Sequence, residues 1–192
     1  MIRMTLSPIA TLVAGVHAAA RHAVADTLSR IPAHLLELAA AAGTKIVVLR
    51  ERQRYATVSP ALRRLGAGVD AWPSPPAGLF VVEERTLYLR STSPMTIAHE
   101  FFHAVDAALG GGLYLSTIDA EIQAAFAAAT RFVTPYAASA VDEYFAESAR
   151  AMTDTNDGNS LWPKATPERL RTCDPTMFDI ITRIFTSPNA HP

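Results

Sequence analysis

From His17 to Ile31 the chain carries Ala, Val and Leu at helical spacing, so the pattern predicts a helix there. A second helix is expected over residues 32–42, with Pro32 at its first position and Gly43 as its stop. Lys45 to Arg50 (KIVVLR) reads as a buried strand. Residues 51–77 are less periodic. Ser59-Pro60 predicts a short helix through Leu65, while Gly66, Gly68 and the run Trp72-Pro73-Ser74-Pro75-Pro76 predict a loop. Gly78 to Val82 and Thr86 to Arg90 read as the strands of a hairpin turning at Glu83-Glu84-Arg85. From Ser93 onward helix dominates. Ser93 is an N-cap and Pro94 a first residue for a helix to Leu109, ended by Gly110-Gly111-Gly112. Ser116 with Asp119 predicts a capping box for a helix through Arg131. Ser139 is expected to cap another through Met152, and Asp174-Pro175 to open a last one to Phe185. N-terminal helices, a small mixed sheet and a helical C-terminal half make an α+β fold.

Composition narrows the function classes. A chain of 192 residues, 49% hydrophobic and 18% charged, fits one folded domain with a sizeable core. Seventeen Lys+Arg against eighteen Asp+Glu leave a net charge of −1, which excludes nucleic acid and an anionic membrane as main partners. The single cysteine, Cys173, makes no internal disulfide and no cysteine-based metal site, and reads as a small buried hydrophobe. No run of about twenty apolar residues is present, so no membrane span is expected. Arg3 ahead of the apolar stretch Leu6 to Val16 and then Ala18-Ala19-Ala20 has weakly the shape of a secretory signal. Pro8 and the short basic region favour instead a helical arm over residues 1–30. The compartment stays open between secretion, delivery as an effector and the cytoplasm.

The chemistry concentrates in His99-Glu100-Phe101-Phe102-His103, inside the helix expected from Pro94. Side chains four apart on a helix share a face, so two imidazoles at that spacing grip one Zn²⁺. Glu100 then projects beside the metal and serves as base for a water bound there. The bare pattern arises by chance in roughly one chain in a hundred of this composition, and the Ser-Pro cap and triple glycine around it strengthen the reading. A catalytic zinc needs a third protein ligand and an open position. The remaining histidines, His17, His22, His34 and His191, do not follow at a short third-histidine spacing, which points to a carboxylate. Candidates are Asp106, Asp119, Glu121, Asp142, Glu143, Glu147 and Asp154. Asp106, one turn past His103, is better placed to orient a ligand histidine than to reach the metal. Glu143 and Glu147 stand one turn apart on one helix, so that one could bind zinc and the other brace a histidine.

HEFFHAVD (99–106), followed some forty residues later by DEYFAE (142–147), resembles the catalytic domain of anthrax lethal factor and is similar to the small Pro-Pro endopeptidases, zinc metallopeptidases of the zincin type. The segment IPAHLLELAAAAGTKIVVL (31–49) extends the likeness to that family's opening helix and first strand. The resemblance covers roughly residues 30–185 and is weak from 51 to 93. It implies a zincin-like catalytic domain over 31–192 with one Zn²⁺ held by His99, His103 and Glu143, and with Glu147 bracing the site. It also implies Tyr136, seven residues before Glu143, as a donor to the tetrahedral intermediate. One departure is Phe102, where the family usually has glycine, which raises the question of where the ring is housed.

The resulting expectation is a monomeric, zinc-dependent endopeptidase with Glu100 as base, whose substrate is a protein or peptide segment, proline-rich by the resemblance. The hairpin at 78–90 is the expected edge for an extended substrate. Two alternatives share the residues: a toxin or effector protease specific for one host or competitor protein, and a non-catalytic zinc-binding module that recognises a peptide. An intact Glu100 weighs against the last.

Overall fold

The computed structural model describes residues 7–187 except Ala67 and Leu161. Arg3 and Leu6 of the signal-like stretch, and His191, lie outside the described residues. Three helices open the chain: α1 (Pro8–Leu12), α2 (Ala18–Leu28) and α3 (Ala33–Ala41). Pro32 is the N-cap of α3 and not its first residue, and Gly43 turns the chain at φ +81°. Strand β1 (Lys45–Val48) follows. Residues 51–77 hold two short helices, α4 (Tyr55–Val58) and α5 (Pro60–Arg64). The Ser59 hydroxyl caps α5 by accepting from the Leu62 amide. The turn α4 carries no sequence pattern of its own. Asp70 holds it in place by accepting from the Tyr55 and Ala56 amides at 2.9 and 3.0 Å.

The hairpin forms as expected, from β2 (Gly78–Val81) and β3 (Thr86–Leu89), antiparallel, with Arg85 left-handed at φ 50°. Strand β1 joins β3 in parallel, giving the order β1-β3-β2 among the described residues. The period of two then sorts the sheet's side chains into two cores. Ile46, Val48, Phe80, Leu87 and Leu89 face the helices, and Val47, Leu49, Leu79, Val81 and Tyr88 face the 51–77 segment. Tyr55 in that smaller core donates to the Pro76 carbonyl at 2.7 Å, fixing the proline-rich stretch where it leads into β2.

The long helix α6 (Pro94–Leu109) starts at Ser93, whose hydroxyl accepts from the Thr96 amide, as the sequence predicts. Twelve of its sixteen residues are buried, so it runs through the middle of the main core. Next come α7 (Leu115–Ile118) and α8 (Ala120–Ala128), α9 (Val141–Met152), α10 (Pro167–Cys173) and α11 (Pro175–Thr186). Helix α6 packs most extensively against α9.

Two expectations about caps are corrected. No single helix runs from Ser116 to Arg131: the chain breaks at Asp119, which alone caps α8 by accepting from the Ile122 amide. Ser116 is drawn away because its amide and hydroxyl both bond Asp106. Ser139 does not cap α9. The N-cap is Ala140, and the Ser139 hydroxyl donates to the Tyr136 carbonyl at 2.7 Å.

Phe102 is wholly buried, stacked on Phe185 of α11 with ring centroids 5.7 Å apart, and edge-on to Phe101. The ring at the position of the expected glycine thus anchors α11 to α6. Removing it leaves a void between two helices, and Phe102→Ala is expected to cost about 3–5 kcal/mol. Denaturant unfolding of the two proteins measures this.

Candidate metal centre

His99 and His103 stand one turn apart on the buried face of α6, and the first turn of α9 brings Glu143 against them. Glu143 Oε2 lies 3.0 Å from His99 Nε2 and 3.2 Å from His103 Nε2, and the two imidazole nitrogens are 3.1 Å apart. All three are metal-ligand types with converging donor atoms, and together they could hold a metal ion. A metal ion or a proton at its centre would hold such a convergence together, since bare lone pairs repel one another.

The proton arrangement supports this use. His99 Nδ1 lies 2.9 Å from Glu147 Oε1, which keeps the ring proton on Nδ1 and turns the Nε2 lone pair toward the cluster. Glu147 is itself gripped at both oxygens by Arg150, Nε to Oε1 at 2.9 Å and Nη2 to Oε2 at 2.8 Å. Thr134 donates to Glu147 Oε2 at 2.5 Å. Burial works to raise Glu143 and Glu147. The hydrogen bonds from His103 and His99 to Glu143, and from His99 and Arg150 to Glu147, overcome it and hold both well below the usual carboxylate range. Burial opposes charge on His99, but its bonds to Glu143 and Glu147 win and raise it to about 10 without a metal. Metal binding therefore competes with a proton here.

Glu100 lies against the start of β2 at Gly78. It is buried, and burial raises its pKa. Tyr136, in a helical turn ahead of α9, donates from its hydroxyl to Glu143 Oε1 at 2.8 Å, with its ring 5.5 Å from that of His99. Tyr136 is 44% exposed. A cleft of about 480 Å³ opens over His99, Glu100 and Glu147, walled by Pro76, Gly78, Met95, Tyr136 and Trp162.

Of the residues singled out from the sequence, the structure brings together His99, Glu100, His103, Glu143, Glu147 and Tyr136. Asp106 goes elsewhere. It is fully buried, and both its oxygens accept from Ser116, at 2.9 Å from the amide and at 2.6 Å from the hydroxyl. Burial raises it to about 7. It fastens α7 to α6 and makes no hydrogen bond to a histidine among the described residues, where His103 Nδ1 has no partner. Three other candidate acids are committed elsewhere: Asp119 caps α8, Glu121 pairs with Arg183, and Asp154 accepts from Asn156.

Arg150 and Thr134 were not legible as parts of the site. The one signal was the spacing of Arg150, three residues past Glu147 on the same helix. Arg150 does more than brace Glu147. Its Nη1 also donates to the Thr155 carbonyl and to Asn156 Oδ1, tying down the loop that carries Trp162. Asp157 of that loop accepts from the Met95 amide in the first turn of α6.

The comparisons with known proteins agree with this layout at the level of the fold. The structure is similar to that of the PRO-PRO endopeptidase PPEP-2 from Paenibacillus alvei, with a TM-score of 0.62 and 20% sequence identity, over 88% of this chain and 92% of that one. No protein-family model and no curated protein matches the chain. The likeness is one of fold: a mixed architecture with a three-stranded sheet and a long central helix. Among the described residues no helix is long and apolar enough to cross a membrane.

Truncating Arg150 strips two charged bonds from a buried carboxylate. Arg150→Ala is expected to lose about 3–5 kcal/mol of stability and to weaken metal binding about 10–100-fold. Equilibrium dialysis against a divalent metal, beside thermal unfolding, measures both.

Proposed function

We propose that this chain is a zinc-dependent endopeptidase. The observation that carries the reading is the convergence of His99, His103 and Glu143 under a cleft whose floor also holds the Glu100 carboxylate. The donor set fits zinc. Bonds of about 2.0–2.2 Å in a tetrahedron separate ligand atoms by roughly 3.3–3.6 Å, within a few tenths of an ångström of the separations seen here. Two imidazoles and one carboxylate would make up the three protein ligands of a catalytic zinc site, which keeps its fourth position for water or substrate.

A zinc ion held by these three residues would supply an acidified water and polarise the scissile carbonyl. Glu100 takes the proton from the attacking water and hands it to the leaving amine. Its burial, which raises its pKa, suits a group that must both accept and return a proton near neutrality. Tyr136, half exposed and free to turn from Glu143, donates its hydroxyl to the developing oxyanion. Glu147, Arg150 and Thr134 keep the His99 ring in one tautomer and orientation.

The substrate is an extended protein or peptide segment. Strand β2 is an edge of the sheet among the described residues and starts at the cleft, so an extended chain lying along it passes the Glu100 carboxylate. The fold shared with a PRO-PRO endopeptidase and the apolar walls at Pro76, Met95 and Trp162 support a proline-rich cleavage segment.

The test is cleavage of a proline-rich peptide library by the metal-loaded protein. Glu100→Gln is expected to keep one zinc per chain and to lose at least about 10³-fold in kcat, and a chelator to abolish cleavage by the wild type. Near-wild-type turnover by the variant would remove Glu100 as the base. Tyr136→Phe is expected to bind zinc normally and to lower kcat about 10²–10³-fold with little change in KM. An unchanged rate would make Tyr136 only a prop for Glu143.

A further inference from the structure

Gly78, the first residue of β2, has the tightest side-chain surroundings of any described glycine. A Cβ built there would lie 2.5 Å from Glu100 Cγ, 3.0 Å from Glu100 Cδ and 2.9 Å from Thr96 Cγ2. Carbon atoms at their best separation stand about 3.5–4.0 Å apart. Backbone conformation does not call for glycine here. The positive φ values belong to Gly43, Gly66, Gly111 and Gly112, whereas at Gly78 the demand is for space.

The pleat explains the contact. Gly78 and Phe80 are two apart on a strand, so both face α6. At Phe80 the ring fills the gap against Tyr114, their centroids 6.5 Å apart. At Gly78 the Glu100 side chain, with the Thr96 methyl beside it, takes the space a side chain would occupy. Glu100 cannot yield freely, because its helix is buried on both sides of it and its neighbour His99 is pinned to Glu147.

We propose that Gly78 is a positioning residue for Glu100: the bare start of β2 sets how closely the carboxylate lies against the sheet edge, and so its place relative to the water that it deprotonates. The catalytic part of this inference rests on the peptidase reading. The packing part does not.

Two measurements test it. The first is a thermal unfolding cycle on the full chain, metal-free and metal-loaded. Gly78→Ala is expected to lower Tm by at least about 4 °C in the wild type and by less than about 1 °C in a Thr96→Ser/Glu100→Ala background, where the clashing atoms are gone. An equal drop in both backgrounds would overturn the inference. So would failure to fold in both. Failure to fold in the wild type alone would support it. The second measurement is kinetic. Gly78→Ala is expected to retain zinc and hold KM within about threefold while kcat falls about 10²-fold. Gly158→Ala, at a glycine with open space around it, is the control for the substitution itself. A rise in KM with kcat preserved, or full activity, would overturn the positioning role. If the wild type cleaves no peptide, the peptidase reading falls by itself, and the unfolding cycle alone decides whether Gly78 places Glu100.

Discussion

One carboxylate oxygen, Glu143 Oε2, lies within 3.2 Å of two imidazole nitrogens carried by another helix. That meeting requires α6 and α9 to pack at one depth and one rotation, because a turn of either helix by a single residue would swing its donors by about 100°. Among the buried residues of α9, Ala146, Ala149 and Ala151 are small and fully packed. The large rings, Phe101, Phe102, Tyr144 and Phe145, fill the remaining core around them.

Around that contact the protein places successive layers of polar support. Glu147 orients His99, Arg150 and Thr134 hold Glu147, and Arg150 in turn holds the loop at Thr155 and Asn156. Burying an arginine is unfavourable unless its hydrogen bonds are met, and here every nitrogen is committed to a carboxylate, a carbonyl or an amide oxygen. The cleft wall and the histidine orientation are therefore joined through one side chain. A change in the loop after α9 would reach the His99–His103–Glu143 cluster by way of Arg150, without touching any of the three.

The sheet serves the site in a different way. Its two faces bury separate cores, and the smaller one, with Tyr55 bonded to Pro76, fixes the chain just before β2. Strand β2 then passes so close to α6 that glycine is needed at its first position. The floor of the cleft is thus made where a strand edge, a helix face and a loop come together, which is where a few convergent polar groups under apolar walls are expected.

The helices, the hairpin and the histidine-glutamate motif were legible along the chain, since each depends on neighbours within a few residues: the Ser93-Pro94 cap, the glycines after Leu109, the alternation in 78–90. The choice of Glu143 among the acids came from a resemblance, because spacing alone left several carboxylates open. The caps that failed, Ser116 and Ser139, failed for a tertiary reason. Each hydroxyl had a better partner, Asp106 from α6 in one case and the Tyr136 carbonyl in the other. Asp106 looked like a histidine's support because it sits one turn past His103, but the chain returning through α7 reaches it first. Thr134, Asp157 and Gly78 gave no signal that could be read alone, since what each does depends on a residue that tertiary packing brings beside it, and Arg150 gave only its spacing from Glu147. The sequence by itself determined which side chains can bind a metal and move a proton, because that is a matter of residue type and helical period. Only the tertiary structure decided which carboxylate meets the histidines and which glycine makes room for Glu100, because those are distances between elements far apart in the chain.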